Sequence, residues 1–204
     1  MPGVNIARSE AAERAQHLTI ENYDISLDLT VGSEIFLSTS RITFACSTPG
    51  YKTFIDAVGK SIKSATLNGV AVDTSRYDGE TLHIEGLAAH NELIVVMEGL
   101  YSNTGEGLQR SVDPVDNEVY LYSQGETAYI RKMYACFDQP SLKAEFTFHV
   151  TAPAHWEVIA NNPVSTKVES DGKNHWSFTK TARISTYVTA IVAGPYAHVH
   201  DTYV

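Results

Sequence analysis

Two polar side chains, Gln124 and Glu126, stand two positions apart just after a β-rich run, Val119-Tyr120-Leu121-Tyr122. In extended chain that spacing turns both to one side. A few residues on, Arg131, Lys132 and Asp138 place charges around an aromatic, cysteine-containing centre, Tyr134-Ala135-Cys136-Phe137. On spacing alone, the chemistry open to this set is a satisfied polar network that holds a loop onto a sheet. A short turn of helix is expected near Tyr129 to Met133.

Other chemistries find less support. None of the eight histidines belongs to HExxH, the helical pair that holds zinc beside a glutamate base. His198 and His200 share a strand face at their spacing, but two ligands do not make a site, and a solvated strand edge is the expectation. No GxSxG elbow presents a serine, and neither Cys46 nor Cys136 sits in a protease-like context. Thr104-Gly105-Glu106-Gly107 lacks the Lys-Ser/Thr of a phosphate-binding loop and reads as a surface loop. No residue of the chain is assigned as catalytic or as a metal ligand.

The elements that must position these residues are mostly strands. Ile25, Leu27, Leu29 and Val31 alternate with polar residues, Gly32-Ser33 suggests a turn, and Phe36, Ile42, Phe44 and Cys46 continue the alternation. A long hairpin is therefore expected, Leu18 to Val31 against Glu34 to Cys46. Asn68-Gly69 is a strong hairpin signal, and Asp171-Gly172 sits between Val164–Val168 and Trp176–Phe178. The continuous apolar run Leu93 to Met97 predicts a strand buried on both faces. Phe146, Phe148 and Val150 alternate, as do Trp156, Val158 and Ala160. Tyr187 to Val192 predicts a further strand. One clear helix is expected over residues 8 to 16, with Ser9 as its N-cap. The fold class is mostly β: an antiparallel, multi-sheet domain, saddle-like or sandwich, with one short N-terminal helix.

A chain of 204 residues supports one domain, assigned here to residues 1–204. A hydrophobic share of 43% excludes a disordered chain. The net charge of −9 argues against nucleic acid as a partner, which calls for a basic face. No apolar stretch approaches the ~18 residues of a membrane span, so no membrane partner is expected. The first residues, Met1 to Ala15, are polar with no apolar stretch of signal-peptide type, and predict a cytoplasmic protein. Cys46 and Cys136 are expected as reduced core residues, with a single bridge between them as the alternative. Charged residues reach only 19%, against about 25% in typical soluble domains, which predicts a face covered by something else.

The segment Tyr120 to Ala144 resembles the N-terminal domain of the M1 (gluzincin) zinc aminopeptidases, of the aminopeptidase N type. That family carries Q-x-E-x-x-x-A-R-R-x-F-P-C-F-D-E-P-x-x-K-A. The pattern falls here on Gln124, Glu126, Arg131, Lys132, Tyr134, Cys136, Phe137, Asp138, Gln139, Pro140, Lys143 and Ala144. Flanking pieces follow in order: Asn22-Tyr23-Asp24-Ile25, Gly99-Leu100-Tyr101-Ser102, Ala160-Asn161-Asn162-Pro163, and Ile184-Ser185-Thr186-Tyr187-Val188 with Gly194. They look most like the bacterial cytosolic members. There are departures. Gly125 replaces a bulky residue, Thr127-Ala128-Tyr129-Ile130 replaces P-x-D-A, and Lys132 replaces the second arginine.

The resemblance implies a substrate-recognition domain of an enzyme that releases N-terminal amino acids from peptides. By that resemblance Glu126 binds the free α-amine of the substrate and Gln124 walls the pocket for its first side chain. Arg131, Asp138 and Lys143 are assigned to bracing that loop. The family's zinc site, HExxH with a downstream glutamate, is absent from these residues, as is its G-x-M-E-N stretch. Zinc is therefore expected in the full-length enzyme, outside this chain, and the isolated chain is expected to be inactive. The expected partners are the peptide N-terminus and a catalytic domain of the same polypeptide. The competing reading is a stand-alone, non-catalytic β-rich module that binds protein or carbohydrate.

Overall fold

In the computed structural model, which describes residues 6–199 and 201, alternation in sequence becomes alternation in burial. The chain opens with helix α1 (Arg8–His17), which runs directly into strands β1 (Leu18–Asp28) and β2 (Ile35–Cys46). Next come β3 (Thr53–Asp56), β4 (Ser61–Leu67), β5 (Val70–Ala71), β6 (Thr81–Ile84), β7 (His90–Leu100), β8 (Gly107–Val112) and β9 (Val119–Gln124). After a long connection follow β10 (Glu145–Pro153), β11 (Glu157–Ala160), β12 (Val164–Ser170), β13 (Lys173–Phe178) and β14 (Ile191–Gly194). One-turn 3-10 segments lie at Thr74–Arg76, Ile130–Lys132 and Thr186–Val188.

Eight strands form the large sheet, in the order β12-β13-β10-β1-β2-β7-β4-β5. A second sheet runs β11-β14-β9-β8, and β3 pairs with β6. The mostly-β, multi-sheet expectation holds. Among the described residues these strands pair antiparallel except where β1 lies parallel to β10. In β1 the apolar residues change phase, from Leu18 and Ile20 to Tyr23, Ile25 and Leu27. A register shift between Ile20 and Asn22 absorbs the change, so all five face the core. The strand ends at Asp28, earlier than expected, because the Asp28 carboxylate accepts from the Thr30 amide at 2.9 Å and the Thr30 hydroxyl at 2.6 Å.

Both expected tight turns are present. Asn68 and Gly69 have φ of 52° and 79°, and Asp171 and Gly172 have φ of 53° and 71°, the doubly left-handed pair that matches strand twist in a hairpin. Three local expectations need correction. Ala7, not Ser9, stands at the N-cap of α1, without a side-chain cap. In β7, Leu93, Val95 and Met97 are buried while Ile94 and Val96 are half-buried, so the run has one core face rather than two. The Tyr187–Val192 run is broken. The Thr189 hydroxyl donates to the Thr186 carbonyl at 2.7 Å and closes a turn at Thr186–Val188 before β14 begins.

One buried cluster runs from Leu18 to Ala193. Its centre is aromatic: Tyr23 stacks on Phe146 at 4.7 Å, and Phe44 meets Phe137 edge-on at 5.3 Å. Phe137 belongs to the connection between β9 and β10, so part of that connection is core. Cys46 and Cys136 are both free and buried.

Candidate functional site

The connection after β9 has two unlike halves. At the tip, burial still alternates: Tyr122, Gln124 and Glu126 are exposed, Gly125 is buried between the last two, and Ser123 is half-buried. The Glu126 amide donates to Gln124 Oε1 at 3.3 Å, which ties the pair together. A Cβ built on Gly125 would stand 3.0 Å from the Tyr187 carbonyl oxygen and 3.1 Å from Ile130 Cδ1. The side chain missing at this departure from the family pattern therefore faces the protein, away from the exposed pair.

The second half turns inward. Ile130, Arg131 and the whole of Met133–Gln139 are buried. Burying Arg131 and Asp138 requires partners, and the structure supplies them. Arg131 Nε donates to Asp138 Oδ2 at 3.1 Å, and its Nη1 lies 3.0 Å from Asp56 Oδ1. Asp56 Oδ2 accepts from the Asp138 amide at 3.0 Å. Arg14 of α1 sits 3.6 Å from Asp56, donates to the Phe54 carbonyl at 3.0 Å, and stacks its guanidinium 4.0 Å over the Phe54 ring. The Thr186 hydroxyl completes the set by donating to Asp138 Oδ1 at 2.7 Å. Two arginines and two aspartates thus neutralise one another out of water. Burial pushes the Asp138 carboxyl up, against the pull of Thr186 and Arg131. Burial also opposes the charge on Arg131, but Asp56 and Asp138 overcome it and raise its pKa. Backbone bonds reinforce the joint: Asp56 and Cys136 exchange both amide–carbonyl bonds at 2.9 Å.

The residues singled out from sequence fall into three places. Arg131 and Asp138 come together in the cluster. Gln124 and Glu126 come together at the tip. Lys143 joins neither: its side chain is exposed, and only its carbonyl takes part, accepting from Arg183, which also donates to the Ile20 carbonyl at 2.8 Å. Lys132 pairs with Glu106 at the surface, and this hydrogen bond holds the Glu106 carboxyl below its usual range.

The sequence matches the family described as the peptidase M1 N-terminal domain over residues 19–188. This chain belongs to that family. The aminopeptidase N of Streptomyces lividans is 44% identical over 207 residues, covering 100% of this chain and 24% of that protein. A leucyl aminopeptidase of Saccharolobus solfataricus is 26% identical, over 90% of this chain and 23% of the relative. The chain spans about a quarter of the length of these relatives. Among solved structures, an M1 zinc metallopeptidase from Deinococcus radiodurans superposes with a TM-score of 0.74 at 22% identity, covering 88% of this chain and 42% of that one. It shows the fold.

In this M1 N-terminal domain, no three of the described His, Cys, Asp or Glu residues converge to hold a metal. Among the described residues, no set of donors fits zinc. His198 lies beyond β14, 3.9 Å from Glu157, and His200 lies outside the described residues. Sequence reading missed Arg14 and Asp56, and gave Asn161 no role of its own. Asn161 holds the Thr186–Val188 turn by donating to the Val188 carbonyl at 2.9 Å and accepting from the Ala190 amide at 2.8 Å. Asp56 had one usable signal, a lone charge ending the short apolar strand Thr53-Phe54-Ile55. Arg14 had none beyond its helix.

Proposed function

We propose that this domain recognises the substrate N-terminus in a longer zinc-dependent aminopeptidase, with the metal held by residues outside this chain. The carrying observation is the contrast at the tip. Glu126 is an exposed carboxylate with no ion pair among the described residues, mounted on a loop whose root is a buried ionic cluster. A free α-amine has a pKa of about 7.7–8.0 and is mostly cationic at neutral pH. A fixed carboxylate can hold that cation and so measure one residue to the bond that is cut. Gln124, on the same side, walls the space for the first side chain. Binding would bury the pair, where loss of one partner costs roughly 2–5 kcal/mol.

An exposed apolar row supports the reading. Ile159, Val192 and Tyr122 are neighbours across β11, β14 and β9, and Ile159 and Tyr122 are 53% and 44% exposed. This apolar row shares its face with Gln124, and we assign it to contact with a catalytic domain of the same polypeptide. No helix among the described residues is long and apolar enough to cross a membrane. The unbridged Cys46 and Cys136 suit the reducing cytoplasm, where we place the enzyme.

The test is Glu126→Ala in the full-length polypeptide, assayed with aminoacyl-4-nitroanilides. KM should rise and kcat/KM should fall by about tenfold or more. An unchanged kcat/KM overturns the assignment.

A further inference from the structure

We propose that Thr186 is a positioning residue for Glu126, acting through the backbone of Tyr187 and the empty side of Gly125. This rests on the reading of Glu126 as the amine-binding carboxylate.

The contact path is short. Gly125 is buried between two exposed residues, and a Cβ there would meet the Tyr187 oxygen at 3.0 Å and the Tyr187 Cα at 3.2 Å. The tip therefore lies with its Gly125 backbone against the Tyr187 backbone of the Thr186–Val188 turn, beside the Ile130 side chain, whose Cδ1 is 3.1 Å from the same point. A backbone contact of this kind transmits a displacement that a flexible side chain would absorb. The turn is fixed from beneath by a fully buried hydroxyl. Thr186 donates to Asp138 Oδ1, Asp138 is held by Arg131, and Arg131 is held by Asp56. From the side, the Thr189 hydroxyl donates to the Thr186 carbonyl and lies 2.8 Å from the Tyr134 hydroxyl. Thr186 is the joint between this rigid cluster and the turn on which the tip rests. Without its hydroxyl, Asp138 loses a donor and the turn loses its tie to the cluster, keeping the side-chain bonds from Asn161 and Thr189, so the Glu126 carboxylate shifts relative to the bound amine. Misplacement by ~1 Å costs up to about a hundredfold in rate.

The experiment uses the full-length polypeptide and two competitive inhibitors, leucine hydroxamate and its desamino counterpart, 4-methylpentanohydroxamate. The ratio of their inhibition constants reports what the amine contributes, and a loss of general stability alone leaves that ratio unmoved. Thr186→Val, which keeps shape and removes the donor, should reduce the ratio by about tenfold. Thr186→Ser should restore it. Gly125→Ala, which pushes the tip off Tyr187, should reduce it as well, and decides the matter should Thr186→Val fail to fold. Glu126→Ala is the control for the underlying reading. If it leaves the ratio unchanged, the amine assignment fails. If it collapses the ratio while Thr186→Val or Gly125→Ala preserves it, the positioning role fails and the amine assignment stands.

Discussion

The tip at Gln124 and Glu126 and the root at Arg131–Gln139 lie within sixteen residues of one another and obey opposite rules. At the root Arg131 and Asp138 are buried and paired: the Asp138 side chain is 0% exposed and takes bonds from Arg131 and Thr186. At the tip the carboxylate is exposed and held by one hydrogen bond, through its own backbone. One loop can thus be anchored firmly and still present an exposed charge. Its anchorage is built several residues away from that carboxylate, and its contacts with the fold are made by the residues between.

The contrast can be broken hardest at Asp56. Asp56→Ala leaves Arg14 and Arg131 with one carboxylate between them in a buried site, and should cost about 3–5 kcal/mol in denaturant unfolding. A loss below ~1 kcal/mol would mean the cluster is hydrated and not the anchor described. Glu126→Ala sharpens the same contrast from the other side. It should change stability by no more than about 0.5 kcal/mol, as an exposed residue does, while kcat/KM falls. A large stability loss would place Glu126 in the scaffold.

The smallest effect is the sign of the pH dependence. Glu106 has its pKa lowered by Lys132, so its contribution is present above its unfolded pKa near 4.5 and is lost as pH falls through the lower folded value. Asp138, raised by burial, runs the other way, and its term favours the fold as pH falls toward 3.8. Glu106→Gln should therefore flatten the acid limb of a Tm-against-pH curve. An unaltered limb would show that the Lys132 pair does nothing for stability.

Strands were legible wherever polarity alternated, as in Ile25 to Leu29, and turns wherever two residues had to take positive φ, as at Asn68-Gly69. The β7 error came from a run of apolar residues whose second face is only half covered, a distinction composition does not carry. The candidate site was legible at Gln124, Glu126, Arg131 and Asp138 because they lie in one segment. Asp56 and Arg14 reach the cluster from 40 or more residues away, and pairing across that distance leaves no local pattern. Lys143, matched through the family pattern, lies in the same segment, but just before β10 its side chain is exposed and only its carbonyl is bonded.

The parallel join of β1 to β10 bears on how the chain is made. β1 emerges among the first strands and finds β2 almost at once. Its other edge must wait for β10, more than a hundred residues later. At about 5–20 residues per second, that interval is on the order of ten seconds on the ribosome. During it the central strand of the large sheet is an open edge, with Tyr23 and Ile25 not yet covered by Phe146 and Phe148. Until β10 arrives, that edge is a template on which another chain can pair.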